Sequence, residues 1–359
     1  MSKILLRIVL VIVSVVATIC LLFGGLVLFL TIFEYRPKDK EPLFVSQNKK
    51  EAVSLNEPLS LLSWNIGYCG LNDEVDFFMD GGKMVRGANR KQVNENIQAI
   101  NSYINQSDYD FILLQEVDRC STRTFRFNQL DFIIGQNPNY AFTFANNHKT
   151  QFVPFPFPPI GKVDAGIVSG SKFNVSNAER ISLPVPFKWP IRVANLKRAL
   201  LQMRLPIKDS DKELVLINLH LEAYDSGEGK VAQTKLLKEV LESERQKGNY
   251  VVAGGDFNQT FSSVNISKFP VYEGKWKAGQ IDVLDFGEGF LFLMDEDTPS
   301  CRSLDQPYKS AKKDSFQFYI IDGFILSSNI QVNSFKIDNL DFKNSDHNPA
   351  LLEIVLLNP

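Results

Sequence analysis

Apolar residues along this chain follow three patterns. The first is a block: residues 8–33 form an unbroken run of 26 uncharged, mostly apolar residues. The run exceeds the roughly 20 residues needed to cross a bilayer and is longer than the usual core of a cleaved signal peptide. It predicts an uncleaved membrane anchor over residues 1–33. The second pattern is the short apolar run bounded by polar residues, which reads as a buried strand. Residues 59–65, 110–116, 165–169, 199–205, 213–219, 251–256, 318–326 and 350–356 all fit it. The third is helical spacing, with Val93, Ile97 and Ile100 on one helix over 92–103 and Ile104 continuing the spacing just beyond it. Val231, Leu236, Leu237, Val240 and Leu241 lie on the apolar side of a second, over 230–246. Strand, helix and strand in succession between residues 59 and 116 predict a layered α/β core.

Between these elements the pattern breaks in informative ways. Residues 34–57 are charged, contain prolines and show little periodicity, which predicts a flexible tether and places the globular domain at 58–359. Residues 70–90 are polar and glycine-rich, a loop. Phenylalanine and proline alternate through 151–159, so this stretch is expected as an extended loop rather than a helix or central strand. Its rings either form an apolar lip touching lipid or substrate, or pack inward as aromatics more often do.

Composition narrows the function classes. A net charge of −2 gives no global basic field of the kind that advertises nucleic-acid binding, although a local basic groove remains compatible with it. Arg119, Arg123 and Arg126 are the candidates for such a groove, or else a solvated loop. Four cysteines without C-x-x-C spacing form neither a disulfide framework nor a zinc site, and Cys69, Cys120 and Cys301 read as small core residues. Of three histidines, His148 falls in a polar stretch and reads as solvated, which leaves His220 and His347. Positive charge lies on both sides of the apolar run. A short basic head before it, and the ease with which long domains translocate, favour an extracytoplasmic domain.

The candidate chemistry sits at strand ends. Val251-Val252-Ala253-Gly254-Gly255-Asp256-Phe257-Asn258 is a buried strand that ends in a backbone-tight turn carrying a carboxylate and an amide. Such a pair suits a hard cation and a phosphate oxygen; a plain surface turn is the alternative. Asn65, Glu116, His220, Asp322, Asp346 and His347 are likewise polar residues within or beside apolar strands. Together they suggest one rim of a sandwich.

In order, Ser63-Trp64-Asn65, Leu114-Gln115-Glu116, Asn218-Leu219-His220-Leu221, Gly255-Asp256-Phe257-Asn258, Ile321-Asp322 and Ser345-Asp346-His347 resemble the endonuclease/exonuclease/phosphatase superfamily over residues 58–359. The resemblance implies an α+β fold, a four-layer α/β/β/α sandwich of two packed sheets flanked by helices, here preceded by one transmembrane helix. It also implies phosphoester hydrolysis with a divalent cation, usually magnesium, with manganese or calcium suited to the same oxygen ligands. Carried over by position, Glu116 is the main metal ligand, Asn65 completes the metal or phosphate contacts, and Asp346 holds a second ion or its water. His347 faces the scissile phosphate with Asp322 behind it. Asp256 orients or deprotonates the attacking water, Asn258 binds phosphate, and His220 donates to a phosphate oxygen or the leaving group. Gly323 stands where the family more often has an aromatic or histidine, and no acid follows two residues after Asn65 as in abasic-site endonucleases. A phospholipid-type substrate, as for sphingomyelinases, is favoured by the anchor, the acidic pI of about 6.0 and the Phe-Pro loop. A surface nuclease is the alternative, and a non-catalytic binding module on the same fold is the second.

Overall fold

Side chains alternate between the two faces of a strand, and in this chain both faces are covered. In the strand Tyr250–Asp256, Val252 enters an apolar cluster on one side while Val251 and Ala253 enter another on the opposite side. The same division separates Leu59 and Leu61 from Leu62 and Trp64 in the strand Pro58–Asn65. The computed structural model describes residues 3–358, the Ser315 side chain excepted. Its two large sheets are stacked, with the first cluster between them and one helical layer on each outer face. This is the expected four-layer arrangement.

The seven-stranded sheet runs, in spatial order, Lys40–Pro42, Asn177–Ser182, Ala199–Pro206, Glu213–His220, Tyr250–Asp256, Asp322–Ser327 and Phe290–Leu293. The six-stranded sheet runs Ile330–Ile337, Ala350–Leu356, Pro58–Asn65, Phe111–Asp118, Gly161–Ser171 and Ala141–Val153. Each contains one parallel pair, Pro58–Asn65 with Phe111–Asp118 and Glu213–His220 with Tyr250–Asp256. A parallel pair needs a crossover, supplied by the helices Arg90–Gln106 and Glu228–Gln246 respectively. The first of these starts on a capping box: the Asn89 side chain accepts from the Gln92 N–H, and the Gln92 side chain accepts from the Asn89 N–H.

Several expectations need correction. Val231 is 70% exposed; it stands six residues before the buried Leu237, about 240° around a helix that turns ~100° per residue. The expected strand over 318–326 is broken. Phe318–Tyr319 pairs with Cys301–Arg302, and only Asp322–Ser327 joins the large sheet. At the break, Ser300 Oγ accepts the N–H groups of Ile321 and Asp322 in place of a ladder. Residues 34–57 lie along the domain rather than hanging free: Lys40–Pro42 pairs with Asn177–Ser182, and Val53 is fully buried. His148 is in the strand Ala141–Val153, not a polar loop. Residues 151–153 also belong to that strand, and the rings beyond it turn outward, with Phe155 75% and Phe157 92% exposed. Cys69 and Cys301 are buried as expected, whereas Cys120 is half-buried.

The helix Lys3–Ile32 is long and apolar enough to cross a membrane, a property that a signal sequence shares. Its last turn touches the domain: Leu30 is buried and Thr31 Oγ1 accepts from the Trp189 indole at 3.1 Å.

Candidate active site

Four of the candidate residues reach one place because they continue the inward-facing rows of their strands. Leu59, Leu61 and Asn65 share a parity, as do Leu214, Leu216 and His220, then Val252 and Asp256, then Asp322, Phe324 and Leu326. The apolar members of each row fill the space between the sheets, and the polar member stands at the rim. Register aligns three of them: His220 is opposite Asp256 across the parallel pair, and Asp256 is opposite Asp322 across the antiparallel one. Gly255 between them, at φ +147°, is a required glycine, because a Cβ there would stand 2.0 Å from the Leu219 carbonyl oxygen.

Glu116 reaches the rim differently. Gln115 faces inward, and strict alternation would send Glu116 outward. A bulge between Leu114 and Val117, with Glu116 itself at φ +56°, shifts the row by one and re-aims the carboxylate. Asn65 Nδ2 then lies 3.4 Å from Glu116 Oε1, 3.0 Å from Asp256 Oδ2 and 3.4 Å from His347 Nε2. The Asn65 oxygen is engaged by the Gly67 N–H at 3.0 Å. Asn65 therefore turns N–H groups, not its oxygen, toward the acids, and ties together carboxylates from both sheets.

Asp346 and His347 arrive from the loop before the last strand. Ser345 Oγ donates to the Asn65 carbonyl at 2.7 Å, and the Trp64 indole donates to the His347 carbonyl at 2.8 Å. His347 Nδ1 meets Asp322 Oδ2 at 2.8 Å, and its Nε2 faces Asp256 Oδ2 at 3.8 Å. His220 Nε2 is 3.4 Å from the same Asp256 oxygen. Asn258 fixes Asp256 by donating its backbone N–H at 2.8 Å, and one of its side-chain N–H groups goes to the Leu221 carbonyl at 2.9 Å. All eight candidate residues are thus at one rim.

Electrostatics divides the residues into roles. Burial opposes a charge on His347, yet Asp322 beside it holds its pKa well above the ordinary range. Burial, then the charges of Arg198 and His347, push His220 well below it. One imidazole is therefore a cation and the other neutral. Burial and then the charge of Asp322 raise Asp256 to about 7. Burial also raises Asp346 to about 6; His347 works against the rise and Glu116 adds to it.

Cys301, Asp346 and His347 offer atoms within 4.8 Å of one another, as do Asp256, Asp322 and His347. Burial pushes the Cys301 thiol up to about 12, so it is no thiolate ligand. What remains at that end is Asp346 with Glu116 raising its pKa. Two acids in mutual repulsion with oxygen donors only fit a hard divalent ion.

No protein-family model matches the sequence, and no curated protein matches it. Solved structures do. An endonuclease/exonuclease/phosphatase from Beutenbergia cavernae is 15% identical, with a TM-score of 0.55 over 84% of this chain and 72% of that one. Another from Bacteroides vulgatus is 14% identical, at 0.52 over 84% of this chain and 100% of that one. The human Nocturnin catalytic domain is 15% identical, at 0.50 over 88% and 98%. The chain has the endonuclease/exonuclease/phosphatase fold.

Within that fold, the rim forms the floor of a cavity of about 480 Å³. Glu116, His220, Asp256, Asn258, Asp346 and His347 line it, and its walls are mostly apolar, among them Phe77, Phe78, Ile160, Leu196 and Trp276. Sequence reasoning did not single out the polar wall residues Asp80, Arg198 and Tyr224, and took the wall residue His148 as solvated. Arg198 pairs with Glu222 at 3.3 Å and donates to the His220 carbonyl, which holds the strand end that carries His220. Tyr224 donates to Asp80 at 2.9 Å, closing one side of the mouth. His148 lies 3.0 Å from the Ala194 carbonyl, and burial pushes its pKa down to about 3. The candidate basic groove is only partly free. Arg123 is paired with the buried Asp118 and stacked on Tyr68, and Arg119 is paired with Asp164; Arg126 is exposed. For Arg198 the available signal was a cationic pair, Lys197-Arg198, directly before an apolar strand. Tyr224 and His148 carried none.

Proposed function

We propose that this protein is a membrane-anchored, divalent-metal-dependent phosphoesterase acting on an amphiphilic, lipid-type phosphoester. The observation that carries the chemistry is the in-register row His220–Asp256–Asp322, with His347 bound to Asp322 at 2.8 Å, near Asp346 and Glu116, whose charge raises Asp346. The observation that favours an amphiphile is the mostly apolar wall above this polar floor.

Glu116 and Asp346 would hold the cation, magnesium being the first candidate and manganese or calcium the others. Bound there, it supplies charge neutralisation for the phosphate oxygens. Asp256, raised to about 7, is poised near neutral pH to take a proton from the attacking water. His347 as imidazolium sets positive charge against the phosphorane-like transition state, and Asp322 fixes its orientation through Nδ1. His220 is neutral and directs its Nε2 toward Asp256 and the cavity, suited to hydrogen-bond a phosphate oxygen or the departing oxygen. Asn258 keeps a second amide N–H for the phosphate. The water oxygen forms the new P–O bond as its proton passes to Asp256, the ester P–O bond breaks, and the leaving alkoxide takes up that proton as Asp256 returns to its carboxylate form.

A nuclease reading draws on the same chemistry but finds less support in the walls, since Arg119 and Arg123 are committed to internal acids. A non-catalytic module finds less still, because no member of the polar set is missing or displaced. The test uses the full chain in proteoliposomes with Mg²⁺ or EDTA. Sphingomyelin, phosphatidylcholine and phosphoinositide vesicles are assayed beside plasmid and single-stranded DNA, with His347→Ala as control. Metal-dependent, His347-dependent release of phosphate or head group from a lipid is the expected result. Cleavage of DNA alone would overturn the substrate class, and metal-free turnover would overturn the mechanism.

A further inference from the structure

The cavity mouth and the membrane helix are neighbours. The last turns of the helix Lys3–Ile32 pack against the strand Ala141–Val153 and the short turn Ile191–Ala194. Two polar links fix this junction. Thr31 accepts from Trp189, and Glu34 pairs with Arg192 at 2.9 Å and Lys197 at 3.4 Å. Phe155, two residues beyond that strand, and Ile191, at the start of that turn, both line the cavity mouth.

The side chains presented around this junction are unusually apolar for a protein surface. Phe157 is 92% exposed, Phe155 75%, Ile191 65% and Trp189 58%. They come from two separate segments, 153–160 and 188–195, and neither set turns into the core. The Arg86 guanidinium holds the Pro159 carbonyl at 2.7 Å, which keeps the first loop projecting. Exposed cations, Arg36, Lys38 and Lys188, lie in the chain segments flanking the same junction.

We propose that Phe155, Phe157, Trp189 and Ile191 form a second membrane contact, seated in the headgroup–acyl boundary of the bilayer that the helix Lys3–Ile32 spans, so that the catalytic cavity opens onto lipid. The proposal rests on the reading of that helix as an anchor. Depth follows from the bond between Trp189 and Thr31, one residue from the helix end: if the helix crosses the bilayer, its last turn is at the interface, and so is the indole tied to it. Indoles and other aromatic rings favour that depth, and Arg and Lys beside them favour the phosphate layer. A bilayer is the occupant that fits two separate apolar projections flanking a spanning helix. A substrate then reaches Glu116, Asp256 and His347 by sliding its head group from the interface while its apolar part stays against the cavity wall.

Full-length protein in proteoliposomes made with lipids brominated at defined acyl depths provides the test, read by tryptophan fluorescence. Shallow bromines are expected to quench strongly, and Trp189→Phe is expected to remove most of that quenching, because Trp64 is buried in the domain and Trp276 lies in the cavity wall. Phe157→Trp in the Trp189→Phe background is expected to restore it. Aqueous iodide quenching both reporters while brominated lipid leaves them untouched would overturn the proposal. A second arm compares hydrolysis of lipid phosphoester in the bilayer with hydrolysis of soluble bis(4-nitrophenyl) phosphate. Phe157→Ser is expected to lower the first roughly tenfold, the worth of one ring moved out of an apolar phase, and to leave the second unchanged. Phe157→Leu is expected to recover most of the loss. Equal effects on both substrates would count against the contact. Quenching needs no turnover, so intact quenching with neither substrate hydrolysed would uphold the membrane contact and remove only the phosphoesterase reading.

Discussion

Replacing Asp322 by Asn changes one charge at nearly constant shape, and its consequences can be worked out from the geometry. Burial opposes a charge on His347; the Asp322 carboxylate at 2.8 Å outweighs it and holds the imidazole well above the ordinary range. With Asn in place, burial remains and the attraction does not, so His347 should titrate below about 6.5, the ordinary value. An adjacent opposite charge commonly moves a pKa by about 1–3 units, each worth about 1.4 kcal/mol. The pair is therefore worth about 1–4 kcal/mol where both partners are charged. A histidine whose folded pKa is raised contributes stability that is fully present below its unfolded value and is lost as pH rises through the folded value. The gap between native and Asp322→Asn protein should thus be largest near pH 6 and shrink as pH rises through the raised folded value of His347. At about 1.6 °C per kcal/mol for a domain of this size, the melting temperature should fall by about 2–7 °C near pH 6.

The measurement is calorimetric unfolding of the full chain in EDTA at several pH values, with the His347 ring nitrogens followed by NMR. Activity adds a second readout. The charge of Asp322 also helps raise Asp256, so the acid limb of the rate profile, expected near pH 7, should move to lower pH while the maximal rate falls about 10²–10⁴-fold. A variant that melts with the native protein at pH 6, or a stability gap that widens with rising pH, would refute the assignment of the charge to His347.

Three further outcomes are expected. Glu116→Gln should weaken Mg²⁺ binding by calorimetry at least about tenfold, lower the Asp346 pKa from about 6, and leave the metal-free protein as stable as before or more so, because the change removes a charge repelling Asp346. Asn218→Leu should cost about 2–4 kcal/mol in denaturant unfolding. Its amide joins the sheets by accepting from Gln115 at 2.8 Å and donating to the Leu114 and Val168 carbonyls; its loss leaves Gln115 only its longer bonds to Ser63 and the Leu113 carbonyl and takes a donor from two buried carbonyls. Glu244 accepts from Arg204, Lys247 and Asn249, which together overcome burial and hold its pKa at about 2. A depressed carboxylate contributes stability above its unfolded pKa and loses it as pH falls through the folded one. Acid unfolding should therefore show Glu244→Gln less stable than native at neutral pH, with the difference closing between about pH 4.5 and pH 2.

Much of the site was legible because it obeys strand parity. Asn65, His220, Asp256 and Asp322 each extend the inward row of an apolar strand, and a period of two can be read directly from the chain. Glu116 was found for a different reason. Its place at the end of an apolar run marked it, but parity alone points it away from the rim, and only the bulge at Leu114–Val117 turns it back. A bulge leaves no mark in the hydrophobic pattern when both faces of the strand are buried, as here. The same double burial hid the break at 320–321, where an unbroken apolar run contains a sheet-to-sheet transfer governed by Ser300.

The cavity walls were illegible for a reason of geometry rather than pattern. Asp80 and Tyr224 meet across 144 residues, Arg198 and Glu222 across a hairpin, and His148 against the Ala194 carbonyl. None carries a local signal, because a wall residue needs only the right place in space. The segment after the apolar run fails similarly: prolines and charges suggested a tether, yet three residues, Lys40–Pro42, suffice to pair with a sheet edge. That pairing matters for function. In the proposed anchored arrangement a free tether would let the cavity point anywhere relative to the bilayer, whereas an edge strand, the buried Val53 and the ion pairs of Glu34 fix the domain at the helix end. The outward turn of Phe155 and Phe157 belongs to the same logic. Rings that would normally pack inward stay out beside an apolar helix; in the proposed membrane arrangement the surrounding phase is not water and their exposure costs nothing.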